Sequence, residues 1–325
     1  MKKISIITPS YNQSAFIEQT INSVLSQNYA NLEYIIIDGG STDGSVEIIK
    51  KYEKYLTHWV SEKDNGQSHA INKGFKMASG EIINWLNSDD YYTPDTFKII
   101  AEQMKDEQVM VLSGRSNVLQ TNTIKYQTNG VDLYSDVVKT MAYARIDQPE
   151  TFIKRKVLET TGLINEQLHY LMDREWWLRY LFYFGSKQVK SIDAVLVNFR
   201  LHEASKTVSA AAGFEKESLS LYYSIAKKYG LEEAAFFEKM PDVILIPLNH
   251  YPLDFPAETV RKIIHNYWLQ QAGMAYAADD YGTAKLFLNQ IKTDLLVAEN
   301  KSIYTSLKNR ITYLPLFLKK IWNKR

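Results

Sequence analysis

The sequence predicts an α/β fold, a mixed and mainly parallel sheet followed by a helical C-terminal appendage. Three observations carry this. From residue 3 onward, short apolar runs alternate with longer amphipathic ones, the pattern of strands joined by crossover helices. The chain has 325 residues, 45% of them hydrophobic, enough for one large α/β domain and an addition. After about residue 213 the alternation gives way to helical text.

Each element follows from local chemistry. Strands are expected at residues 4–8, 34–38, 58–61, 81–86 and 109–112, all short and rich in Ile, Val or aromatic residues. Helices are expected between them. The first spans residues 15–27 with Ser14 as N-cap, and the second spans 45–55 after a Gly-rich turn. A third spans 67–78, closed by Gly80, and a fourth spans 94–104, with Thr93 capping and Pro94 at the first helical position. Residues 113–155 read as short β-like runs, 170–184 as an aromatic-rich helix and 189–199 as a further strand. Residues 267–290 read as a helical hairpin turning at Asp279-Asp280-Tyr281-Gly282, a single copy of a tetratricopeptide-like unit. The division expected is a domain over residues 1–212 and a mainly helical region over 213–325.

Several function classes are excluded or disfavoured. Lys plus Arg number 38 against 37 Asp plus Glu, a net charge of +1 that argues against a broad nucleic-acid-binding face. Without cysteine there is no disulfide framework, thiolate zinc site or cysteine nucleophile. Pro9 and Asn12 come too early for a signal-peptide core, and no run approaches the roughly 18–20 apolar residues of a spanning helix. A cytoplasmic protein is the expectation. Residues 308–325 hold six basic and no acidic residues among Leu, Ile, Phe and Trp, so this end either contacts an anionic membrane peripherally or packs on its own domain.

In such a sheet the loops at the carboxyl ends of the strands line the ligand crevice. The first of these, Thr8-Pro9-Ser10-Tyr11-Asn12, has no glycine, so the Gly-x-Gly-x-x-Gly dinucleotide loop is missing, as is a Walker-type loop. Asn87-Ser88-Asp89-Asp90 instead places two carboxylates on one tight turn, which calls for a compensating cation such as a divalent metal.

Four segments together carry a resemblance. They are Ile4-Ser5-Ile6-Ile7-Thr8-Pro9-Ser10-Tyr11-Asn12, Ile37-Asp38-Gly39-Gly40-Ser41-Thr42-Asp43-Gly44, Trp85-Leu86-Asn87-Ser88-Asp89-Asp90 and Met172-Asp173-Arg174-Glu175-Trp176-Trp177-Leu178-Arg179. In order and spacing they resemble the family 2 glycosyltransferases of GT-A fold, the bacterial surface-polysaccharide type, over about residues 3–210. The resemblance implies a donor site in which Thr8, Pro9, Tyr11, Asp38, Asp64, Gly66, Lys73 and Asp89 hold the nucleotide. Asp38 has a turn-capping alternative over Gly39 to Ser41, and Asp43 is read as a helix cap. Asp90 and His202 are the implied ligands of Mn or Mg, with Asn87 replacing the first carboxylate of the Asp-x-Asp pattern. Arg200 and Lys206 are diphosphate candidates.

For transfer, Asp173 is implied as the base that activates the acceptor hydroxyl, with Glu175 as rival. Trp177 would share its helical face and, with Gln148, contact the acceptor. The function implied is an inverting, metal-dependent transferase moving a sugar from a nucleotide sugar, a UDP-sugar by the resemblance, to a glycan or lipid-linked acceptor. Two alternatives stay open: a transferase to polyprenyl phosphate, and a non-catalytic nucleotide-sugar-binding or scaffold protein.

Overall fold

The first strand, β1 (Ile4–Ser10), is buried at every position, as expected of an apolar run in a sheet whose two faces are covered. In the computed structural model, which describes residues 1–202, 205–206 and 210–313, β2 (Leu32–Asp38) pairs in parallel with β1 and with β3 (His58–Ser61). The other edge of β1 takes β4 (Ile82–Trp85), also in parallel, so that Ile7 stands opposite both Ile35 and Trp85. Beyond lie β5 (Tyr91–Tyr92), β6 (Val111–Gln120), β7 (Thr123–Gln127), β8 (Thr151–Lys154) and β9 (Val189–Leu201). The sheet order is β3-β2-β1-β4-β8-β6-β9-β5, with β7 paired to β6. The expected parallel arrangement holds for the first four strands. Further along, β8 runs antiparallel to β4 and β6, β5 antiparallel to β9, and only β6 and β9 are parallel.

Contacts divide the described residues into two compact units, the first from 1–132, 145–217 and 249–251, the second from 133–144, 218–248 and 252 onward. In the first unit, α1 (Ile17–Leu25), α2 (Ser45–Lys51), α3 (Gln67–Met77) and α4 (Thr96–Gln103) fill the intervals between early strands. Ile4, Ile6, Ile17, Ile21, Tyr34, Ile36, Phe97 and Leu112 belong to its core. Each large side chain taken out of water there contributes about 1.5–3 kcal/mol.

Two helix starts differ from the sequence expectation. Ser14 does not cap α1: the helix begins three residues later, with Phe16 at the cap position and no side-chain cap, and the Ser14 N–H donates to Asp43 Oδ2 at 2.9 Å. Thr93 does not cap α4. Its hydroxyl donates to Val195 O at 2.7 Å, tying it to β9, and Asp95 with φ of 62° precedes the helix. The region expected as β-like runs also contains a helix, α5 (Val137–Tyr143), whose Val138 N–H is capped by Asp136 at 2.8 Å. Its Val-Val-Lys-Thr opening is β-branched and so reads as strand in isolation.

α6 (Arg155–Thr161) and α7 (Met172–Phe184) follow in the first unit, which also takes the start of α8 (Ala211–Lys228). The second unit holds α5, residues 218–228 of α8, α9 (Ala234–Phe237), α10 (Ala257–Ala277), α11 (Tyr281–Leu288) and α12 (Ala298–Tyr313). Tyr222 stacks on Tyr267 with ring centroids 3.7 Å apart, and its hydroxyl donates to Met141 O and Ala142 O at 2.8 and 2.7 Å. The hairpin expected at 267–290 is α10 and α11, with Asp280 capping Thr283 N–H at 3.0 Å. Of the basic C-terminal segment, residues 308–313 close α12, and 314–325 lie outside the described residues. Among the described residues no helix is long and apolar enough to cross a membrane.

Candidate active site

The carboxyl ends of β1, β2 and β4 open into a cleft of about 750 Å³, lined wholly by first-unit residues. Pro9, Tyr11, Asp64, Gly66, Asp89, Gln148, Asp173, His202 and Lys206, all singled out from the sequence, line it. Asp64 lies so close over Gly39 that a Cβ there would come within 2.9 Å of its carboxylate. It accepts the Gly66 N–H at 2.8 Å, so that amide at the start of α3 is already engaged.

Asp89 and His202 meet at the cleft wall, Oδ2 to Nε2 at 2.9 Å. Phe16 stacks on the imidazole with centroids 4.8 Å apart. Behind Asp89, Asp90 is fully buried. Its Oδ1 accepts the Arg200 N–H at 3.0 Å, while Oδ2 has no hydrogen-bond partner among the described residues. Burial, and next the Asp89 charge, push its carboxyl well above the usual range. An orphaned buried oxygen beside a second carboxylate is the setting a cation relieves. Among the described residues no three His, Asp or Glu side chains are grouped to hold a metal ion. The donors present fit a cation with one or two protein ligands whose shell a diphosphate completes.

Asp173 stands in the first turn of α7 and faces the cleft. Burial raises its pKa to about 6, against backbone hydrogen bonds and Arg174 that lower it. Glu175, the rival acid, is 1% exposed and pairs with Arg179 at 2.9 Å. That arginine in turn donates to Thr161 O and Leu163 O at 2.6 and 2.8 Å, so the pair anchors α7 instead of reaching the cleft.

Six expected residues do not line the cleft. The Thr8 hydroxyl is buried against Tyr34 OH at 3.1 Å. Asp38 is saturated by Gly40 N–H, Ser41 N–H and the hydroxyls of Ser41 and Ser61, at 2.5–3.0 Å, which is the turn-capping alternative. Lys73 pairs with Glu62. The Arg200 guanidinium donates to Asp89 O and Gln19 Oε1 between the rings of Phe16 and Tyr91, organising the acidic turn from behind. Asp90 lies beneath that turn. Trp177 is fully buried and stacks on Tyr180 at 5.0 Å, a core contact and no acceptor surface. Gln148 lines the cleft, yet its amide donates to Asn84 Oδ1 and Trp85 O at 2.7 and 2.8 Å.

Other lining residues carried no sequence signal as single letters. Gln67 bridges the site, donating to Asn87 Oδ1 and accepting from Lys206 Nζ, each at 2.8 Å. This uses Asn87 as a neutral partner at the position where a carboxylate was expected. Tyr170, Met172, Phe199 and Phe214 supply apolar wall. They surround the implied motifs, and their neighbourhood was the only available pointer.

Comparison with known proteins gives the class. Residues 5–165 match the family described as Glycosyl transferase family 2, and the chain belongs to that family. It is 28% identical over 241 residues, 71% of this chain and 73% of the other, to an uncharacterized glycosyltransferase of Rickettsia typhi. It is 37% identical over 124 residues, 37% of this chain and 49% of the other, to the putative teichuronic acid biosynthesis glycosyltransferase TuaG of Bacillus subtilis. Among solved structures, S. aureus TarS residues 1–349 in complex with UDP superposes with a TM-score of 0.61 at 16% identity, covering 99% of this chain and 92% of that one. The chain spans 53% of the longer TarS chain. A mannosyltransferase of Pyrobaculum calidifontis, in complex with GDP-Man and Mn2+, gives 0.50 at 17% identity, covering 100% and 88%. The fold is that of GT-A glycosyltransferases, with a helical C-terminal region.

Proposed function

We propose that the protein is an inverting, metal-dependent hexosyltransferase that moves one sugar from a UDP-sugar to a hydroxyl of a glycan or lipid-linked glycan. The observation that carries this reading is one cleft holding a carboxylate of raised pKa, Asp173, together with the Asp89–His202 pair and Lys206. In the reaction the acceptor oxygen forms a bond to the anomeric carbon as the bond from that carbon to the diphosphate oxygen breaks. Asp173 takes the hydroxyl proton. A carboxyl near pH 6 is a better base than an exposed one and is still ionised at neutral pH. Inversion needs this single carboxylate and no covalent intermediate.

Tyr11 and Pro9 offer an apolar wall to the nucleoside, and Asp64 offers acceptors for its N–H and O–H groups. Lys206 provides positive charge for the leaving diphosphate. Asp89 and His202, with Asp90 behind, would hold Mn or Mg, which neutralises charge developing on the diphosphate. The imidazole favours Mn. The TarS complexes with UDP and UDP-GlcNAc, and the mannosyltransferase with Mn2+, support the donor and metal classes, and the description of TuaG supports a surface-polysaccharide setting. We assign the reaction to the cytoplasm at the inner face of the membrane.

Calorimetric titration of UDP, GDP and dTDP, each with Mn and with EDTA, tests the donor half. Metal-dependent UDP binding at micromolar strength is expected. Absence of binding by every nucleotide sinks the reading, and GDP or dTDP preference overturns the donor class. Release of UDP from UDP-sugars on acceptor glycans then tests transfer.

A further inference from the structure

Glu217, in the second turn of α8, accepts three consecutive backbone N–H groups. His169 donates to Oε1 at 2.7 Å, and Tyr170 and Leu171 to Oε2 at 2.9 and 2.8 Å. Leu171 is the residue from which α7 departs, and Asp173 lies two positions on. Successive amides converging on one anion form a nest, and negative charge beside a helix N-terminus is favourable. The same segment is clasped twice more. Lys206 Nζ donates to His169 O at 2.9 Å, and the Tyr170 ring lies 5.3 Å from that of Phe214. Gly213 makes that approach feasible, since a Cβ there would come within 2.4 Å of the Tyr170 ring. Gly213, Phe214 and Glu217 share one face of α8 at i, i+1 and i+4.

We propose that Glu217 is a positioning residue for Asp173: by gathering the amides of His169, Tyr170 and Leu171 it fixes the turn that aims the base at the acceptor hydroxyl. The inference rests on reading Asp173 as the base. Glu217 itself does not line the cleft. Proton transfer requires hydrogen-bond reach, and a misplacement of about 1 Å costs on the order of 100-fold in rate. Charge adds to geometry. Burial first, and the Glu217 charge as a lesser cause, raise the Asp173 carboxyl, while Arg174 lowers it. Lys206 and Asp147 also interact with it electrostatically.

The test uses the full chain with Glu217→Gln and Glu217→Asp, followed by amide hydrogen exchange of the 168–175 peptide, UDP titration and the pH profile of sugar transfer. Glu217→Gln is expected to expose the three amides to faster exchange, leave UDP affinity within about twofold, and lower kcat about 10- to 100-fold. The acidic limb of the profile should move to lower pH, because a negative charge near Asp173 is gone. Glu217→Asp restores the charge on a shorter arm, so the limb should return while kcat recovers only in part. Unchanged exchange, unchanged kcat, or loss of UDP binding in step with kcat overturns the proposal. If the parent transfers no sugar, the reading of Asp173 fails separately. The exchange arm still decides whether Glu217 holds the turn.

Discussion

The backbone N–H of Arg200 donates to Asp90 Oδ1 at 3.0 Å, so β9 and the acidic turn after β4 are locked at one point. The guanidinium of the same residue reaches Asp89 O and Gln19 Oε1, with its carbon 4.4 Å from the Tyr91 ring centroid. A planar fork between aromatic faces has no equivalent in an ammonium group. Arg200→Lys should lower stability by about 1.5–3 kcal/mol, the value of hydrogen bonds to a charged donor, and should weaken metal-dependent UDP binding through the displaced turn. Thermal unfolding and titration check the two effects together. Loss of binding without loss of stability would mean that the side chain touches the diphosphate directly.

Asp173→Asn keeps the shape and the acceptor oxygen but cannot take a proton. Turnover should fall about 10²- to 10⁴-fold, the usual contribution of a positioned base, while UDP affinity stays within about twofold. Steady-state transfer assays with parallel calorimetry measure this. Retained turnover removes Asp173 as base.

The position of Asp173 also predicts two pH dependences of opposite benefit. As base it must be ionised, so log(kcat/KM), which reports the free enzyme, should fall with unit slope as pH drops below about 6. For stability the sign reverses. A carboxyl whose pKa rises from 3.8 to about 6 on folding binds more protons when folded, so its contribution is lost as pH rises through that window, by at most about 3 kcal/mol. Asp173→Asn should therefore unfold at higher temperature than the parent at pH 7.5, and the difference should vanish near pH 4.

The early strands and the loops that line the cleft were legible because each signal is local. The apolar run of β1, and a glycine or Asp-Asp pair directly after a strand, say where a loop is and what chemistry it carries. What a side chain touches is not local. Lys73 pairs with Glu62 eleven positions back, Asp38 spends itself on the turn that follows, and Arg200 faces the back of the acidic turn although His202, two residues on, faces the cleft. Glu217 was illegible for the same reason, since its partners lie 46–48 positions away.

Trp177 and Lys73 test that distinction. Trp177→Ala removes a fully buried ring stacked on Tyr180 and should cost about 3–5 kcal/mol, with the acceptor KM unchanged once the folded fraction is accounted for. Lys73→Ala breaks a pair whose acid is exposed and should leave the melting temperature close to that of the parent, with UDP affinity within about twofold. A clear loss of UDP affinity in Lys73→Ala would return that lysine to the donor site.

Asp90 provides the sharpest separation of fold from function. Its Oδ1 is used by Arg200 N–H, and its Oδ2 is buried without a hydrogen-bond partner among the described residues, against the charge of Asp89. The fold gains little from that second oxygen, and an unpaired buried charge is a cost. Asp90→Asn keeps the acceptor for Arg200 and removes the charge, so without metal the variant should melt at or above the parent temperature. If Asp90 is a ligand, the same variant should lose the difference between UDP titrations run with Mn and with EDTA, because a neutral amide holds a divalent cation far less well than a carboxylate. Equal Mn-dependent UDP binding by variant and parent would remove Asp90 from the metal site and leave Asp89 and His202 as its protein donors.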